Sequence, residues 1–370
     1  MGGEAVRLDG NTVVLPGGVG VRFIRTLRLP EQGTHPLPPG LGEFPVRRVA
    51  DYADSVPEEW SRRGGVMLPM YLREAMWLSF SAKEPAALQI GVGKVCAVSG
   101  KPWSDRLARD PQNYVVLPRQ PWLDGINSGT GTIRQFVAVP LGLGATVEGQ
   151  VTGEETHGGI QLQNFALNEV ELARWRKAME ADRERVRAIS YDGSAPSLTP
   201  LPPGMPAPGG APPTGHGAMP LSPAAQGGTE HGLSRRRAAP RKQATAMGLG
   251  VGGTMRQEIY KDERPLADWA TDASGRIFVH LVTPPDWRRI TGEAAPPSPV
   301  DRKAYTDAGL PWFDYFDSDA TDLAPADALT GVAPVGEWLG DDHEPWLPPA
   351  AGQVHQLGDK KGTPVADGDW

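Results

Sequence analysis

What most constrains this chain is how unevenly its structure-breaking residues are spread. It has 46 Gly and 38 Pro in 370 residues, and they crowd into one block centred on LTPLPPGMPAPGGAPPTGHGAMPLSPAAQGG (198–228). Such a stretch buries too little apolar surface to offset the entropy of ordering it. Residues 191–246 are therefore expected to form a disordered, partly extended tether. The block closes on SRRRAAPRK (234–242), a basic cluster that either touches an acidic partner or is simply solvated. The tether divides the chain into a β-rich domain with a closing helix (10–190) and a small α+β domain or docking extension (247–340). A tail (341–370) rich in Pro, Gly and Asp is expected to be mobile. Two folded parts also suit a length beyond the usual span of one core.

The first part reads as short strands. Val19, Val21, Phe23, Leu27 and Leu29 alternate with Gly20, Arg22, Thr26 and Arg28, a period of two that puts apolar groups on one face. Arg25 interrupts that face and Ile24 the polar one. Met76 to Phe80, Leu88 to Val92, Tyr114 to Leu117, Ile133 to Val139, Ala145 to Val151 and Gly159 to Leu162 continue the series. PGG, PPG, SGKPW, PRQPW and SGTG punctuate them as turns. Short strands without helical pattern between them predict a mainly β fold, an antiparallel sandwich or barrel.

One helix is legible. Leu172, Trp175, Met179, Val186 and Ile189 recur at steps of three and four after the cap residue Asn168, with Asp182 breaking the stripe. It is expected to pack on the β domain, a coiled-coil seam being too short and interrupted. In the second part, IFVHLV (277–282) reads as a strand and PDWRRITGE as the start of a helix. GLPWFDYFD (309–317) reads as an aromatic docking segment.

Charge and cysteine narrow the function classes. A net charge of −7 argues against nucleic acid as a partner, since that needs a basic surface. Cys96 is the single cysteine, so neither a disulfide framework nor a cysteine-built zinc site is expected, and a cytoplasmic setting fits. MGGEAVRLDG lacks the basic and apolar regions of a signal peptide. The longest nearly apolar stretch, Val137 to Val147, is far short of the roughly 20 residues that span a bilayer. A soluble protein without a membrane-spanning segment is expected.

GLGVGG places Gly248, Gly250 and Gly253 at dinucleotide-fingerprint spacing, but the strand such a fingerprint must follow is missing. A hinge or strand entry suits it better, and no cofactor is expected. The densest polar region lies in 118–165. If its loops meet, Asp124, Glu148, Glu155 and His157 could form an acid/base cluster or hold a metal; otherwise GEETHGG is a solvated hairpin tip. Trp122, Arg134 and Gln135 are candidate binding residues, and an ion pair of Arg134 with Asp124 is expected, because a buried Arg must be paired. His280 interrupts an apolar strand, where a satisfied core histidine is commoner than a ligand. Asp341, Asp342, His343 and Glu344 have nothing to preorganise them for a metal, so no metal site is expected. Cys96, with no basic neighbour to lower its pKa, reads as structural.

The blocks QPWLDG (120–125), IRQFVAVPLGLGATVEGQVTGEETHGGIQL (133–162), MRQEIYKDE (255–263), RIFVHLVTPPDWRRITGE (276–293) and GLPWFDYFD together resemble an uncharacterised family found in bacteria, fungi and slime moulds. Some of its members carry the label "integral membrane protein". No activity or catalytic residue is established for that family, so the resemblance implies none here. The residues by themselves leave three readings: a binding or interaction protein with a protein partner or self-association, a carbohydrate-active or other hydrolytic enzyme using the carboxylate/His cluster, and a self-assembling subunit whose sheet edges pair.

Overall fold

The structure, a computed structural model, describes residues 5–191, 246–297, 312–315, 321–336 and 353–357. Almost all of the expected tether, and most of the tail, lie outside these. The fold is mainly β, in two large sheets that share one core and do not close into a barrel.

The strands, in chain order, are β1 (Arg7–Asp9), β2 (Thr12–Leu15), β3 (Val19–Thr26), β4 (Thr34–His35), β5 (Gly40–Glu43), β6 (Arg47–Arg48), β7 (Val66–Pro69), β8 (Ala75–Ser81), β9 (Ala86–Val92) and β10 (Val95–Cys96). They continue with β11 (Val115–Leu117), β12 (Trp122–Leu123), β13 (Gly125–Gly129), β14 (Thr132–Pro140), β15 (Ile160–Ala166), β16 (Met247–Arg256), β17 (Gly275–Val282), β18 (Trp312–Tyr315) and β19 (Val354–Leu357). Helices are α1 (Glu58–Arg63), α2 (Val147–Thr152), α3 (Glu169–Tyr191), α4 (Pro284–Thr291) and α5 (Asp327–Thr330). The first sheet runs β1-β2-β3-β8-β14-β16-β4, with β5 on β3, β12 on β8 and β13 on β14. The second runs β10-β9-β15-β17-β7-β6, with β11 on β9.

Residues after the tether are built into both sheets. β16 lies between β14 and β4, and β17 between β15 and β7, in register Ile160↔Val279 and Val279↔Val66. An independent α+β part from residue 247 is therefore not what forms, and the stretches on either side of the tether belong to one compact unit. The physical reason is that an apolar strand such as IFVHLV has main-chain groups to pair along both edges and side chains to cover on both faces. The returning chain also adds parallel pairs, β16 with β4 and β17 with β7, to sheets expected to be wholly antiparallel. Within the tail, β19 pairs in parallel with β18, the core of the aromatic segment, whose Trp312 is fully buried.

The glycines of GLGVGG sit inside β16 because neighbours crowd it. A Cβ on Gly250 would lie 2.6 Å from the Ala145 carbonyl oxygen, and one on Gly253 only 2.0 Å from that of Pro30. No phosphate loop forms. The expected strand over 145–151 is instead α2, capped by Thr146, whose Oγ1 accepts the Gly149 N–H at 2.9 Å. Its β-branched Thr146, Val147, Val151 and Thr152 read as a strand only locally.

The second sheet is covered on both faces. Ile90, Leu162, Val279 and Leu281 point into the common core. On the other side Val282 and Met67 join Trp60, Trp287 and Ile290 of α1 and α4 in a smaller core. Helix α3 is capped by Asn168, whose Oδ1 accepts the Glu171 N–H at 2.9 Å. From Ala173 it belongs to a second unit, 173–242. Along its expected apolar stripe Leu172 and Trp175 are half-buried, whereas Met179 and Val186 are exposed. No helix among the described residues is long and apolar enough to cross a membrane.

Candidate functional site

Two of the predicted site residues meet. Glu148, in the first turn of α2, is 3% exposed and receives the backbone N–H groups of Thr156 (3.1 Å), His157 (2.9 Å) and Gly158 (2.8 Å). His157 Nδ1 lies 2.8 Å from its Oε1. The loop after α2 can wrap the carboxylate this tightly because Gly93 and Gly158 both take positive φ, and a Cβ on Gly93 would lie 2.4 Å from that of Glu148.

Glu155 makes the reciprocal clasp. It accepts the N–H groups of Gly144 and Thr146, each at 3.0 Å, together with the Gly142 N–H and the Thr146 hydroxyl. Burial alone would raise its pKa, but the Thr146 hydroxyl and the backbone donors of 144, 146 and 142 outweigh that and lower it. GEETHGG is therefore a loop after α2 rather than a hairpin tip, with Glu154 exposed and Glu155 turned onto its own chain. Glu148 of α2 and Glu155 of this segment each hold a neighbouring loop.

Asp124 is elsewhere. It is 2% exposed, and its partners are Gln257 and the Trp122 side chain rather than Glu148 or His157. Burial pushes its pKa up to about 7 against the opposing pull of those hydrogen bonds. The expected ion pair with Arg134 does not form, because Arg134 points to the Val332 carbonyl. Gln135 is fully buried between β14 and the 27–29 segment, accepting the Leu29 N–H at 2.9 Å and donating to the Leu27 carbonyl at 2.8 Å. It ties the first sheet together and has no surface for a ligand. Trp122 is half-buried on β12, its carbonyl held by Gln120.

His157 opens onto a small cleft that it shares with Trp60, Leu141, Met247, Phe278 and His280. Its side chain is 36% exposed, against 3% for the Glu148 behind it. His280 enters from β17, on the opposite face of that strand from the core residues Val279 and Leu281. Its ring stacks on Trp60 at 4.6 Å and lies 4.6 Å from Phe278. Its Nε2 faces the Gly64 carbonyl at 3.0 Å. Burial lowers its pKa to about 4; the Gly64 carbonyl opposes the shift and Arg63 adds to it. Arg63 lies 5.1 Å over the Phe278 ring and donates to the His157 carbonyl at 3.0 Å, joining α1 to the 156–158 loop. The cleft has about 20 Å³ open to a water-sized sphere, enough for a water or an ion and far too little for a sugar ring.

Sequence reasoning placed His157 near carboxylates but missed Trp60 and the meeting with His280. The antiparallel β15–β17 register, with Ile160 opposite Val279, brings 157–159 toward 280–282, and nothing local to either segment announces that pairing. It also missed a buried polar cluster around Asp262, whose Oδ2 accepts the Tyr114 hydroxyl at 2.7 Å and the Trp269 indole N–H at 2.8 Å. Burial and the Asp262 carboxylate push the Tyr114 pKa up. Cys96 is buried, its Sγ 3.3 Å from the Asn113 carbonyl, and burial raises its pKa, as suits a structural thiol. Among the described residues no group of three or more His, Cys, Asp or Glu is placed to share a metal ion. No family model, curated protein or solved structure matches the chain.

Proposed function

We propose that this is a binding protein whose recognition surface is the aromatic and histidine cleft on the outer face of the second sheet. The observation that carries the reading is the state of the three buried or clasped carboxylates. Asp124, Glu148 and Glu155 each spend their oxygens on donors of their own chain. A general acid or base must instead keep an oxygen facing substrate. The cleft itself is lined by Trp60, Phe278 and the two imidazoles, with Trp60 and His280 buried and His157 part-exposed at its mouth.

The hydrolytic reading keeps one supporting observation. A carboxylate behind a part-exposed histidine is the orienting half of a catalytic triad. Its nucleophile is not found among the described residues: the neighbouring hydroxyl, Thr156 Oγ1, lies 2.8 Å from Nδ1, on the ring's inner side. Self-association is the third reading, and exposed Val170, Met179 and Val186 of α3 favour it. Placement in the cytoplasm, a protein partner rather than nucleic acid, and membership of the uncharacterised family belong to the same proposal. In support of the last, the resembling blocks 133–162 and 276–293 are the ones that carry Glu148, His157 and His280.

The test is turnover by the full-length chain of p-nitrophenyl glycosides and p-nitrophenyl acetate. Release no faster than that of His157→Ala is expected. Release that disappears in His157→Ala would replace the binding reading with the hydrolytic one.

A further inference from the structure

The two cleft histidines have their inner nitrogens spoken for. His157 Nδ1 lies 2.8 Å from a Glu148 carboxylate oxygen, which can only accept, so Nδ1 carries the proton and Nε2 is left with its lone pair. His280 Nε2 lies 3.0 Å from the Gly64 carbonyl, so there Nε2 is protonated and Nδ1 has the free lone pair. Neither free nitrogen meets a hydrogen-bond donor among the described residues. Both rings line the same cleft, whose open space of about 20 Å³ matches a water or a single ion.

We infer that the cleft is a two-histidine site for a divalent transition-metal ion, with His157 Nε2 and His280 Nδ1 as ligands and water completing the shell. The arrangement behind each ring supports this. A ligating histidine characteristically donates its other N–H to a carboxylate or a backbone carbonyl, which fixes the tautomer and the ring plane. Glu148 does this for His157 and the Gly64 carbonyl for His280. The supports are rigid: Glu148 is held by three backbone amides, and the His280 ring lies against Trp60 and Phe278. Imidazole ligands select copper, nickel or zinc over magnesium or calcium, and affinity should rise from zinc to copper. The inference rests on the cleft being a recognition site, and it names the class of ligand.

The experiment uses the full-length chain labelled with 15N at histidine, and zinc as the probe because it is diamagnetic. Long-range 1H–15N spectra of the metal-free protein are expected to show the Nδ1–H tautomer for His157 and the Nε2–H tautomer for His280. Zinc at one equivalent should shift His157 Nε2 and His280 Nδ1 together, and calcium should shift neither. His157→Ala, at a part-exposed ring, should abolish the coupled shift of His280 and weaken zinc binding at least tenfold. If zinc moves only other histidines, or moves His280 unchanged in His157→Ala, the metal site is overturned. That outcome leaves the binding reading standing, because the binding reading fails only on His157-dependent turnover.

Discussion

Gln257 grips Asp124 at both ends: its Oε1 accepts the Asp124 backbone N–H at 3.0 Å, and its Nε2 donates to Oδ2 at 2.8 Å. The side chain just beyond β16 thereby fixes the turn between β12 and β13, and among the described residues no cation pairs with Asp124. The carboxyl group is thus buried beside neutral partners, which is why its pKa rises to about 7.

That shift fixes a sign. The folded-state value of about 7 lies above the ordinary 3.8, so between those pH values the folded chain holds a proton that the unfolded chain has lost. Asp124 therefore contributes a loss of stability as pH rises from about 4 to 7. Asp124→Asn, which keeps an oxygen for Gln257, should raise stability at pH 8 by roughly 2 kcal/mol. Urea denaturation at pH 8 measures it, and a loss of stability there would show that the charged form is paired after all.

His280 should give the opposite slope. Its folded value of about 4 lies below the ordinary 6.5, so the unfolded chain takes up the extra proton as pH falls between them, and stability is lost toward acid. Over pH 4 to 6.5 the two groups oppose each other, and their joint effect on the wild-type curve should be small. Asp124→Asn should unmask a steeper acid loss, whereas His280→Phe should tilt the curve the other way. Melting temperatures across pH 4 to 8 distinguish the three proteins. Parallel curves would remove both assignments.

Glu148 should matter more for folding than the histidine it orients. Glu148→Gln turns an amide NH2 toward backbone donors at 2.8 to 3.1 Å and is expected to cost roughly 2–4 kcal/mol. His157→Ala removes only a part-exposed ring and should cost about 1 kcal/mol or less. Chemical denaturation of the two variants decides it, and equal losses would mean that the His157 contact, not the amide nest, holds the loop.

Arg25 and Glu74 form a buried pair at 2.8 Å, with Glu74 also accepting the Tyr71 N–H at 2.9 Å. Burial raises the Glu74 pKa in spite of Arg25. Glu74→Leu alone strands the guanidinium and should cost roughly 3–5 kcal/mol, whereas Arg25→Met with Glu74→Leu should recover most of that. A double-mutant cycle with no coupling would refute the pairing.

Much of the β architecture was legible because alternation is a local signal. β3, β8, β9, β14 and β17 fall where Val, Ile, Leu and Phe alternate or cluster, and the Asn168 cap marked the start of α3. Arg25 stood out as a charge on an apolar face, and the structure supplies the partner, Glu74, that such a residue needs. α2 was misread because six residues are too few for a period to declare itself, and its helix is fixed by contacts with loops on both sides.

By itself the sequence determined where most of the long strands extend and where the breakers fall, since both follow from the conformational preferences of residues near one another in the chain. Only the tertiary structure decided that 247–282 completes both sheets, that Arg134 and Asp124 part company, and that His157 and His280 share a cleft. Those outcomes depend on which strand edges pair across more than a hundred residues. That choice is set by the joint burial of two sheets and the satisfaction of their main-chain donors, quantities that no single segment carries.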